Sequence, residues 1–136
     1  MTLVLDASAL IELLVMSPAG QRARARIGAD TDLHLPHLAD IEVVSVARGL
    51  VAGGVLAAAR AEQLLEDLRD FPARRWPAHM LFERVWALRA NATAYDATYV
   101  ALAESIGATL VTADEKLARG VHGLATCEVA VVSHGT

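Results

Sequence analysis

Thr2-Leu3-Val4-Leu5-Asp6-Ala7-Ser8-Ala9-Leu10 is the stretch that decides the fold. Its short apolar run ends at an acid, the pattern of a strand buried on both faces. Behind the acid, apolar residues return at helical spacing and predict a helix over residues 8–15. The same alternation runs through the chain. Ser17-Pro18 pairs an N-cap with proline in the first helical position, opening a second helix that reaches about Gly28. Residues 33–35 read as a strand stopped by Pro36, and residues 38–51 as a helix closed by Gly53-Gly54. A helix over 55–70 is closed by Phe71-Pro72, and residues 74–76 form a weak strand candidate. Helices are expected over 78–89 and 95–106, the latter ended by Gly107. A strand over 109–111, a short helix over 115–119 and a last strand over 128–132 complete the pattern.

Strands separated by helices pair in parallel, so the expected fold is α/β, a three-layer α/β/α sandwich around a central parallel sheet. Such sheets carry their sites beyond the carboxyl ends of the strands. No linker, repeat or low-complexity stretch interrupts the pattern. One domain is expected over residues 1–132, with a short tail at 133–136.

At 136 residues, 54% of them hydrophobic, the chain can bury a core without disulfides. Its single cysteine, Cys127, excludes an internal disulfide and a zinc knuckle and reads as a small buried thiol. The N-terminus lacks a basic, then apolar, targeting pattern, and no apolar run approaches a bilayer span. The expectation is a cytoplasmic protein with no membrane segment. A formal net charge of −4 excludes a general nucleic-acid coating protein. It does not exclude a nuclease, whose carboxylates gather at one point where bound metal reverses the local sign.

Four acids fall where such a site belongs. Asp6 ends the first strand. Asp114 follows the strand at 109–111. Ser8 and Thr112 stand two residues from these aspartates and could hold them by hydrogen bonds. Glu42 interrupts the apolar run Ile41-Glu42-Val43-Val44, where burial is costly without a partner and no nearby base supplies one. Asp96 lies in the first turn of a helix whose apolar stripe is Tyr95, Tyr99, Leu102 and Ile106. Two-metal phosphodiester cleavage needs this kind of set, with divalent ions flanked by carboxylates from separate elements. Mg2+ and Mn2+ favour oxygen ligands. Taken singly, three of the acids also have an ordinary structural reading. Asp96 follows Thr93 as in a capping box, Asp114 can cap the next helix, and Asp6 can simply end a strand.

Four segments in register resemble the PIN-domain ribonucleases of the VapC toxin family. They are Val4-Leu5-Asp6-Ala7-Ser8; Pro36-His37-Leu38-Ala39-Asp40-Ile41-Glu42; Tyr95-Asp96-Ala97-Thr98-Tyr99-Val100-Ala101-Leu102-Ala103; and Thr112-Ala113-Asp114-Glu115-Lys116-Leu117. The resemblance implies that Asp6, Glu42, Asp96 and Asp114 form a catalytic metal-site quartet, with Asp6 and Asp96 the most direct ligands. Ser8 and Thr112 would be supporting hydroxyls. It further implies Mg2+ or Mn2+ as cofactor, RNA as substrate, a small antitoxin as inhibitor, and a homodimer. Two other readings compete. One is a non-catalytic interaction module on the same fold. The other is a different phosphoryl-transfer hydrolase, disfavoured because Ser8 stands where a second aspartate would be needed.

Among the remaining polar residues, Arg84 and Arg89 are candidates for contacting RNA phosphates, as are Arg74 and Arg75. Asp40 reads as an exposed acid in a first helical turn. His34 and His37 straddle Pro36, too poorly placed for a ligand pair. Trp76 and Trp86 read as core or interface anchors.

Overall fold

The computed structural model describes residues 1–28 and 31–132; the tail anticipated at 133–136 lies outside the described residues. Among these residues five strands form one sheet in the order β3-β2-β1-β4-β5, every neighbouring pair parallel. The strands are β1 (Thr2–Leu5), β2 (Asp32–Pro36), β3 (Arg74–Trp76), β4 (Thr109–Thr112) and β5 (Val129–Val131). Seven helices flank them: α1 (Ala7–Val15), α2 (Pro18–Ile27), α3 (His37–Ala52), α4 (Ala58–Arg69), α5 (Phe82–Ala87), α6 (Ala94–Ile106) and α7 (Glu115–Gly120). This is the expected three-layer α/β/α sandwich. No helix among the described residues is long and apolar enough to cross a membrane.

The central strand explains the architecture. Val4 and Leu5 have no exposed surface, and Leu35 and Leu110 on the flanking strands are equally enclosed. A strand covered on both faces must be apolar throughout, as β1 is. The chain builds outward from β1 through β2 to β3, then returns to place β4 on the other side of β1. The strand order therefore reverses between β1 and β4, and a crevice opens beyond their carboxyl ends. Leu5 stands opposite Val111, so the residues that follow the two strands emerge side by side.

Local signals set most helix ends. Ser17 caps α2 by accepting from the Gly20 amide at 3.0 Å, with Pro18 in the first turn. Gly20 is also where α1 and α2 nearly touch: a Cβ there would stand 2.0 Å from the Glu12 carbonyl oxygen. Gly107 ends α6 in a left-handed conformation.

Three expectations need correction. Helix α4 starts at Ala58, because the amides of Val55 and Leu56 both turn back to the Leu50 carbonyl and prolong the turn after α3. The helix anticipated over 78–89 divides into a 3-10 turn, His79–Leu81, and the short α5. Cys127 is half-buried, because β5 is a short edge strand whose residues are all partly exposed.

Candidate active site at the carboxyl edge of the sheet

Asp6 leaves β1 in extended conformation and caps α1. Its Oδ1 accepts from the Ala9 amide at 2.9 Å and the Ser8 hydroxyl at 2.6 Å, and its Oδ2 accepts a short bond from the Thr112 hydroxyl. The carboxyl is only 3% exposed. Burial raises its pKa above the ordinary carboxylate value, the hydroxyl and amide bonds oppose that rise, and the negative charge of Asp114 adds to it.

The two hydroxyls are shared with β4. Ser8 Oγ accepts from the Ala113 amide at 2.9 Å and lies 3.3 Å from Thr112 Oγ1. Thr112 Oγ1 accepts from the Asp114 amide at 2.9 Å. One hydrogen-bonded web therefore ties the ends of β1 and β4 and aims both aspartates from the crevice between them. Asp114 in turn caps α7, its Oδ1 accepting from the Lys116 and Leu117 amides at 2.9 and 3.3 Å. The structural roles anticipated for Asp6 and Asp114 are thus present, and they hold these carboxylates in place.

The other two acids arrive on helices. Asp96 stands in the first turn of α6, where its amide donates to the capping hydroxyl of Thr93 at 3.1 Å. Partial burial raises its carboxyl pKa, as do the negative charges of Asp114, Asp6 and Glu42, in that order. Glu42 projects from α3 and accepts a 2.6 Å hydrogen bond from the Tyr99 hydroxyl on α6. Tyr99 is 1% exposed; burial and then this bond to Glu42 drive its own pKa far above the usual phenol range. The structure therefore brings all four acids to the carboxyl edge of the sheet, within electrostatic reach of one another. No ion pair among the described residues involves any of them.

Four oxygen donors of one sign, without a matching cation, are the donor set that a hard divalent ion takes. As placed, no three His, Cys, Asp or Glu side chains among the described residues stand close enough to surround one ion. Like-charge repulsion and the bonds holding Asp6, Asp114 and Glu42 favour this open arrangement.

Tyr99 is the residue the sequence pattern hid. It was grouped with an apolar stripe, and its packing fits that reading, but its hydroxyl is part of the site. Its position three residues after Asp96, on the same side of α6, is the signal that could have found it. Tyr95, from the same stripe, is 62% exposed and lies outside the core. Asp40 also departs from expectation. Arg75 grips both of its carboxylate oxygens at 3.1 Å and spends its other N–H groups on the Leu68, Phe71 and Ala73 carbonyls.

The arginine candidates separate in the same way. Arg84 donates from Nε and Nη2 to Glu104 at 2.7 and 3.0 Å and from Nη2 to the Leu124 carbonyl at 3.0 Å, so one edge of its fork is engaged by the protein. That ion pair fastens α5 to the end of α6. Arg75 is more fully engaged, with Nε, Nη1 and Nη2 all on protein acceptors. Arg89 is exposed and lies over the Trp86 ring, 4.6 Å from its centroid. Trp86 is itself 68% exposed, so it is no core anchor. Arg74 lies over Trp76 at 4.2 Å. The Trp76 indole N–H donates to His34 Nδ1 at 2.8 Å, and His34 Nε2 meets Asp32 at 2.7 Å, which makes His34 a satisfied core histidine.

Comparison with known proteins agrees with this geometry. The PIN domain family model matches residues 3–121. Ribonuclease VapC9 of Mycobacterium tuberculosis is 45% identical over 130 residues, covering 96% of this chain and 98% of that protein. PAE2754 from Pyrobaculum aerophilum superposes with a TM-score of 0.70 at 25% identity, covering 96% of this chain and 84% of that one. VapBC-5 from Mycobacterium tuberculosis, a member of the VapBC family of toxin-antitoxin systems, superposes at 0.63 with 20% identity, covering 96% and 98%. The chain belongs to the PIN-domain family, among its VapC ribonucleases.

Proposed function

We propose that this chain is the toxin of a toxin–antitoxin pair, an endoribonuclease that hydrolyses RNA phosphodiester bonds with Mg2+ or Mn2+ held by Asp6, Glu42, Asp96 and Asp114. The observation that carries the proposal is four carboxylates from four elements gathered at the carboxyl edge of the sheet, none of them in an ion pair among the described residues. Each side chain has its own task. Asp6 is fixed in one orientation by three donors. Asp114 is fixed by the α7 amides. Asp96 stands on the helix that also carries Tyr99, and Glu42 is held from α3 by that tyrosine. Ser8 and Thr112 bind no substrate in this scheme; they keep the two strand-end aspartates in register. When bound, divalent ions would supply an activated water and stabilisation of the leaving oxygen. Burial and then the charges of Asp114, Asp6 and Glu42 raise the pKa of Asp96, and such ions would relieve that repulsion.

Arg89, exposed and in no ion pair among the described residues where Arg84 is bound to Glu104, is the better candidate for an RNA phosphate. A small antitoxin is the expected partner, since VapBC-5 is named as a member of a toxin-antitoxin family. A homodimer and a cytoplasmic site of action complete the proposal.

Purified protein with an RNA substrate tests it. Chelation should abolish cleavage and added Mn2+ should restore it. Asp96→Asn should stay at least about a hundredfold slower at any Mn2+ concentration, with no loss of melting temperature in the metal-free protein. Full activity in chelator, or in Asp96→Asn, would refute the metal assignment. RNA left intact under every condition would favour an interaction module.

A further inference from the structure

The geometry points to Tyr99 as a positioning residue that sets the metal affinity of the site by fixing the orientation in which Glu42 presents its carboxylate. The inference rests on the metal reading above and deepens it.

Glu42 is the acid whose neighbourhood explains it least. It comes from the middle of a helix turn, with no cap to fill and no cation beside it. Its long side chain has three rotatable bonds, where an aspartate has two. The other site carboxylates are short, and Asp6 and Asp114 are also locked by backbone amides. Only the Tyr99 hydroxyl is bonded to Glu42 among the described residues, at 2.6 Å on Oε1.

Tyr99 is well built for that task. Its ring is almost wholly enclosed within the core, on the helix that also carries Asp96. A phenol in a packed ring has little freedom, so its hydroxyl is a fixed point. Being neutral, it satisfies one lone pair of Glu42 without cancelling the negative charge that an ion would use. Oε1 keeps its second lone pair, so the bond orients the carboxylate without using up its capacity to bind an ion. One helix therefore supplies one acid directly and orients a second, so that the two move together. Groups that orient metal ligands in this way typically contribute ten- to a hundredfold in metal affinity.

The test is a double-mutant cycle on Mn2+ binding to protein without RNA, read from the loss of the free-ion electron paramagnetic resonance signal. Tyr99→Phe should weaken binding by about tenfold. Glu42→Gln should weaken it at least as much, and Tyr99→Phe added to Glu42→Gln should cost nothing further. In cleavage assays Tyr99→Phe should raise the Mn2+ concentration for half-maximal rate and largely restore kcat at saturation. The wild-type protein gives an independent reading, because the chain has only two tyrosines. The 13Cζ resonance of Tyr99 should shift on Mg2+ addition, and the shift should vanish in Glu42→Gln. Equal loss in both backgrounds would assign Tyr99 to packing alone and overturn the proposal, as would undiminished affinity in Tyr99→Phe. A Tyr99 resonance indifferent to Mg2+ in a protein that binds it would do the same, even if Tyr99→Phe failed to fold. Wild-type protein that binds no Mn2+ would overturn the metal reading itself, and this inference with it.

Discussion

The acids at the sheet edge and the acids a few residues away meet opposite treatment. Asp40 and Glu104 are each gripped by an arginine through two hydrogen bonds, and Glu104 ends with its pKa lowered: burial pushes it up, but Arg84 and the Thr126 amide outweigh that push. Glu42, two residues from Asp40, receives a hydroxyl in place of a guanidinium group, and Asp96, on the same helix as Glu104, is in no ion pair among the described residues. Asp6 and Asp96 end with their pKa values raised. The fold thus has arginines to spare for structural acids yet withholds them from the crevice. A salt bridge in the crevice would have stabilised the folded chain and removed the charge an ion needs.

Removing the arginines should break this contrast from the structural side. Arg75→Ala strips Asp40 and the end of α4 of a shared partner and should cost about 2–4 kcal/mol, read from chemical denaturation. Arg84→Ala should cost about 1–3 kcal/mol, because Arg84 is 38% exposed and screened by water but its loss leaves Glu104, 9% exposed, without its cation. It should leave RNA affinity intact. Arg89→Ala should do the reverse, keeping stability while lowering the slope of RNA affinity against log salt by about 0.7. Exchange of those two outcomes would mean that Arg84, not Arg89, faces the RNA.

The smallest effect is also the one that sharpens the comparison most. Asp6 and Asp96 have folded-state pKa values above their ordinary 3.8, so the metal-free native state binds more protons than the unfolded chain. Their contribution is fully present below that ordinary value and is lost as pH rises through the raised values. Glu104 has the opposite sign. Its stabilisation is present above its ordinary 4.5 and is lost as pH falls through its lowered value. Metal-free protein should therefore gain melting temperature as pH falls from neutrality into the weakly acid range, then lose it below about 4.5 as Glu104 protonates. Saturating Mn2+ should reverse the first limb, and Glu104→Gln should flatten the second. A metal-free protein that lost stability steadily from neutrality downward would show the site acids to be favourably paired.

Much of this was legible in the sequence because it rested on local rules. The strands showed as short apolar runs since a sheet covered on both faces admits little else. Ser17-Pro18 and Gly107 marked helix ends through capping chemistry that depends on near neighbours. The acids were legible because each stood directly after a strand, in a first helical turn, or, for Glu42, in apolar company it could not otherwise tolerate. What escaped was long-range. Tyr99 looks the same in a sequence whether its hydroxyl meets water or a carboxylate 57 residues away. Arg75 and Arg84 could not be told from Arg89, because their acids lie 35 and 20 residues off in the chain. The helix expected over 78–89 was misread because apolar spacing alone cannot show where a 3-10 turn replaces α-helical bonding.

The hydroxyl web between β1 and β4 also has a temporal consequence. Asp6 and the threonine that steadies it are separated by 106 residues. During synthesis the first strand leaves the ribosome long before its neighbour exists, and the crevice is missing one wall until β4 docks. A partly made chain therefore carries Asp6, Glu42 and Asp96 without the centre, and the cutting machinery is assembled only when nearly all of the domain has emerged.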